Sequence, residues 1–72
     1  MSNNPTCIRK HSVLIKGHGT SVSMENAFWS GLRSIARKKN LSINDLVSKI
    51  DSNRRGNLSS AIRLYVLQHA KD

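Results

Sequence analysis

The sequence predicts a mostly α-helical domain with one short β-ribbon near its N-terminal side, completed by a second copy of the chain. Residues Thr20-Ser21-Val22-Ser23-Met24 alternate polar and apolar side chains with the period-two rhythm of a half-buried strand. Two amphipathic helix patterns follow, separated by Asn40-Leu41-Ser42. A strand this short cannot satisfy its own backbone donors and acceptors or cover its apolar side, so it needs a partner strand. A second subunit is the expected source.

Each element has its own signal. Residues 1–8, polar at their start and containing Pro5, carry no periodicity and are expected to form a mobile arm, with the domain proper over 9–72. His11 to Lys16 contains the β-prone run Val13-Leu14-Ile15, and Gly17-His18-Gly19 is expected as a flexible corner before Thr20. The two runs fit a hairpin or one bent strand equally well. From Asn26 to Lys39, Phe28, Leu32, Ile35 and Ala36 recur at helical spacing on one face, while Arg33 and Arg37 point away. Asn40, which tolerates the left-handed conformation, is the expected stop.

Ser42 begins a second helix, with Asp45 three residues on in a shortened capping-box arrangement and Ile43, Leu46, Val47 and Ile50 on its apolar side. That pattern breaks across Asp51 to Gly56. Asn57 or Ser59 then caps a third helix built on Leu58, Ala61, Ile62, Tyr65 and Val66, with Leu64 and Leu67 off the stripe. So wide an apolar surface suits a helix that touches more than one neighbour.

Composition narrows the function. Twelve Lys and Arg against four Asp and Glu leave a net charge of +8 on 72 residues, the footprint of a polyanion binder. A two-stranded ribbon is also narrow enough to enter the DNA major groove. A monomer this small buries only about 60% of the surface of its unfolded chain, and oligomerisation is a usual remedy. Cys7 stands alone, which excludes an intrachain disulfide and suits a reducing compartment. No apolar run approaches the roughly 18 residues of a membrane span, and Met1 to Lys10 lacks a signal-peptide apolar region. The expected location is the cytoplasm, on the nucleoid when DNA is bound. His11, His18 and His69 are scattered and pair with no nucleophile or metal-ligand spacing, so no enzyme, cofactor or metal is expected.

The constellation Gly17-His18, Thr20 to Glu25, Phe28-Trp29, Leu41-Ser42-Ile43-Asn44 and Asn57 to Arg63 resembles the ribbon-helix-helix DNA-binding proteins. The closer likeness is to a small bacterial subfamily with an added C-terminal helix, over roughly residues 10 to 70. The resemblance implies an intertwined homodimer and a transcriptional regulator that inserts an intersubunit β-ribbon into the major groove of double-stranded DNA. It implies that Gly19, Ser21 and Ser23 face bases, and that Val22 and Met24 turn into a dimer core with Phe28, Leu32, Leu46, Ile50, Ile62 and Tyr65. Strands of this superfamily often carry a large basic or amide side chain toward the groove, and none lies between Gly17 and Met24. The start of the second helix, Ser42, Ile43 and Asn44, is implied as a phosphate clamp, with Lys38, Lys39, Arg9, Lys10 and Lys16 extending its basic surface. Arg54, Arg55 and Arg63 are expected to lie away from the ribbon. Two other roles fit the scaffold: an antitoxin-like regulator that binds a protein partner, although no toxin-binding tail is expected after Ala70, and a protein-interaction module that does not bind DNA.

Overall fold

The computed structural model describes residues 6–53 and 56–70. Two strands, β1 (Ile8–Ile15) and β2 (His18–Glu25), are followed by three helices, α1 (Asn26–Lys38), α2 (Ile43–Asn53) and α3 (Leu58–Gln68). The expected arm falls mainly on residues 1–5, outside the described residues, and Ile8 already opens β1.

The strands form an antiparallel hairpin, with Ile15 opposite His18 and Ile8 opposite Glu25. Two residues, Lys16 and Gly17, make the connection, both at positive φ (51° and 83°). That is the signature of a type I′ turn, whose twist matches that of the flanking strands and whose second position suits glycine. The turn therefore lies one residue earlier than the expected corner, and the hairpin replaces the bent-strand alternative. It also supplies the partner strand from within the chain. Of the two arrangements open to the sequence, the hairpin is the one formed.

The register sorts the side chains. Val13 and Ile15 on β1 and Val22 and Met24 on β2 turn inward and are buried, whereas Ser12, Leu14, Ser21 and Ser23 beside them are exposed. α2 packs along β1, while α3 contacts β2, α1 and α2. Leu32, Ile35 and Ala36 from α1, Leu46, Val47 and Ile50 from α2, and Ile62 and Val66 from α3 complete the core, with Phe28 and Tyr65 half-buried against it. Met24 is 0% exposed in this core. Within the chain, β1 pairs with β2 and α3 packs against it.

The ends of the helices follow local chemistry. Asn26 N–H, at the start of α1, donates to Cys7 O (2.9 Å), which ties the first strand to the first helix. At the other end Asn40 (φ 57°) takes the left-handed conformation, Asn40 N–H reaches Arg37 O and Leu41 N–H reaches Ala36 O. This is a Schellman stop. α2 runs to Asn53, past the expected break at Asp51, as the Ser52 hydroxyl and the Asn53 amide donate to the carbonyls four residues back, Ser48 O and Lys49 O. Asn57 is the cap of α3, accepting from Ser60 N–H at 2.8 Å.

α1 and α3 approach closely at Gly31, where an added Cβ would lie 2.8 Å from Val66 Cγ1. Val66 is buried and β-branched within a helix, so its rotamer has little freedom to yield. Gly31→Ala should therefore destabilise the fold by about 1–3 kcal/mol despite alanine's better helix propensity. Urea unfolding measures this, and an unchanged or raised midpoint would show that the two helices have room to spare.

Candidate nucleic-acid interface

The outward face of the hairpin carries Lys10, Ser12 and Leu14 from β1 and Gly19, Ser21 and Ser23 from β2, all exposed. The register pairs them in three rows: Lys10 with Ser23, Ser12 with Ser21, and Leu14 with Gly19. The serines predicted to face outward do so. Sequence reasoning missed Ser12 and Leu14 as members of this face and grouped Lys10 with the flanking cations. The signal that would have revealed them is the two-residue Lys16-Gly17 turn, because it alone determines the register.

The rows alternate with inward pairs, so by antiparallel geometry their backbone groups point away from the partner strand. Two elements meet those edges. Leu14 N–H donates to Asn44 Oδ1 at 3.0 Å, which pins the first turn of α2 against the edge of β1. On the other edge, Ser59 Oγ donates to Ser23 O at 3.3 Å.

Ser42 precedes α2, and its Oγ accepts from Asp45 N–H at 3.0 Å. The amides of Ile43 and Asn44 are left without an intrahelical acceptor, as in the first turn of any helix. They sit at the positive end of the helix dipole, beside the ribbon. Asn44 Oδ1 is engaged with Leu14, while its Nδ2 remains a donor. Lys38 and Lys39, exposed at the end of α1, lead directly into this turn. Lys16 occupies the hairpin tip. Arg9, opposite Met24, is on the helix-facing side of β1 but exposed at its open end.

The base of the ribbon is held by groups the sequence did not connect. Arg63 Nε bonds Glu25 Oε1 at 2.8 Å, so Arg63 braces the last residue of β2 instead of lying away from the ribbon. Arg54 and Arg55 lie outside the described residues. The hydrogen bond from Arg63 holds the Glu25 carboxyl below its ordinary range. His11, opposite Val22 on the inner face, stacks on Trp29 with ring centroids 4.0 Å apart and planes 7° apart. Its Nε2 is buried without a partner among the described residues. Burial lowers its pKa, and the charges of Arg9 and Arg33 lower it further. Among the described residues no group of three or more metal-ligating side chains converges.

Both shifts make the fold sensitive to acid. A depressed carboxylate stabilises fully above its unfolded pKa, near 4.3, and its contribution disappears as pH falls through the lower folded value. A histidine with a lowered pKa has the same sign in a higher window: the folded state excludes its proton, so stability falls below about pH 6.5. Acid titration of unfolding free energy should show two declines. Removing the titratable ring with His11→Phe should abolish the upper one, and Glu25→Gln should flatten the lower one. A single decline unaffected by either variant would show that these contacts are not formed in solution.

Comparison with known proteins agrees with this geometry. The model of the ribbon-helix-helix domain matches residues 8–70. The solved structure of an uncharacterized protein from Bordetella pertussis Tohama I superposes with a TM-score of 0.80 at 21% identity, over 99% of this chain and 62% of that one. The likeness is one of fold, and the chain spans less than two thirds of that neighbour. No curated protein matches the chain. No helix among the described residues is long and apolar enough to cross a membrane. A family match over 8–70, with a two-stranded ribbon followed by helices, shows that the chain belongs to the ribbon-helix-helix family of DNA-binding regulators.

Proposed function

We propose that the protein is a DNA-binding transcriptional regulator that places its β-ribbon in the major groove and grips the adjacent phosphates with the first turn of α2. The observation that carries this reading is the Asn44–Leu14 bond, which holds an anion-binding helix end beside an exposed polar ribbon face. A net charge of +8 supplies the long-range attraction.

In the homodimer that the family resemblance implies, each subunit contributes a strand to that ribbon. On α3, Leu64 and Leu67 are 59% and 61% exposed, next to a groove lined by Lys49, Ile50, Ala61 and Tyr65. A protein-binding role would use this same surface.

Two measurements test the reading. Affinity for DNA fragments should fall steeply with salt, with a log-log slope near −5 if about six phosphates are neutralised, and Lys39→Ala should weaken all sequences about equally. A flat dependence would favour the protein-interaction roles. Because the core closes within one chain, dilution monitored by light scattering should convert a dimer into a monomer of unchanged helicity. A dimer that unfolds as it dissociates would restore the intertwined arrangement.

A further inference from the structure

The C-terminal half of α2 and the length of α3 leave a groove of about 470 Å³ between them, a volume in the range of small-molecule sites. Ile50, Ala61, Leu64 and the ring of Tyr65 line it with apolar surface. Lys49 carries the only charge among the lining residues; the other polar ones are neutral, and none is acidic. No ion pair or hydrogen bond holds its ammonium among the described residues, so the groove joins an apolar bed to one uncompensated cation. The occupant that complements it has an apolar body and a single negative charge.

Both walls of the groove are fastened to the strands. In the first turn of α2, Asn44 Oδ1 accepts from Leu14 N–H on β1 at 3.0 Å. On α3, Ser59 Oγ donates to Ser23 O at 3.3 Å and Arg63 Nε donates to Glu25 Oε1 at 2.8 Å, both on β2. Resting on the DNA-binding reading above, we propose that the groove is an effector site for an amphiphilic monocarboxylate, an aliphatic or arylalkyl acid whose carboxylate meets Lys49 and whose apolar body lies against Ile50, Ala61, Leu64 and Tyr65. A body wedged between the helices shifts α2 against α3, and the first turn of α2 is the phosphate clamp. The carboxylate also cancels one charge of the +8. Both effects lower the affinity for DNA, to the extent that the ligand prefers the shifted arrangement.

Titration of sodium octanoate into the full chain, followed by the backbone amide resonances in NMR, tests the site. Resonances of α2 and α3 around the groove should shift saturably. Lys49→Met should weaken octanoate about 2- to 10-fold and leave neutral octanol unchanged. Leu64→Glu, at a position 59% exposed, should keep the circular dichroism of the parent and lose octanoate binding. At constant ionic strength octanoate should lower the parent's affinity for DNA fragments about fivefold or more, DNA should weaken octanoate by the same factor, and Leu64→Glu should show neither effect. No saturable shift, or equal weakening of octanol and octanoate by Lys49→Met, overturns the proposal. So do groove resonances that move on dilution of the protein alone, which mark a contact between copies. Octanoate that binds without changing DNA affinity overturns the effector role and leaves the DNA-binding reading intact. A parent that binds no DNA overturns that reading and with it the effector role, while the octanoate shifts still decide the ligand site.

Discussion

The two-residue turn at Lys16-Gly17 is the constraint on which the rest of the molecule depends. Its positive φ angles close β1 onto β2 in one register, and that register sends Val13, Ile15, Val22 and Met24 inward together. A slip of one residue would exchange the two faces, exposing four apolar side chains and burying Lys10, Ser12, Ser21 and Ser23. Exposing those four apolar side chains to water disfavours the alternative. The apolar inner face thus protects the polar outer one.

Closure of the hairpin also changes what the helices have to do. In a chain with one strand, a second subunit would be needed both to pair the backbone and to cover the apolar side. Here β1 supplies the pairing, and α3 packs on α1, α2 and β2. The contact at Gly31 shows how tightly α3 is seated, and the Arg63–Glu25 pair fastens it to the base of the ribbon. Leu64 and Leu67 remain outside the core of the chain, exposed on α3.

The first turn of α2 and the ribbon are directly connected. Asn44 joins the first turn of α2 to the backbone edge of β1, so the positive end of the helix and the outward serines keep a set spacing. Phosphate contacts of this kind set the position of a protein on a duplex, while base contacts choose the sequence. In the function proposed above, this link lets the ribbon choose the register on DNA and the helix hold it.

Helix periodicity, the Schellman stop at Asn40, the caps at Ser42 and Asn57, and the outward direction of Ser21 and Ser23 were all legible in the amino-acid sequence, because each depends on residues within a few positions of one another. The family resemblance was legible for the same reason, through short local motifs in a fixed order. Other features were not. Lys10 and Ser12 join the ribbon face only through pairing across a turn, Arg63 finds Glu25 across 38 positions, and Asn44 finds Leu14 across 30. The intended partner of β2 was equally invisible, since a period-two pattern reports that a strand needs a neighbour without naming it. Local propensity determines which elements form; the choice of which edges and faces meet belongs to tertiary packing, where backbone hydrogen bonds and apolar burial must be satisfied at once.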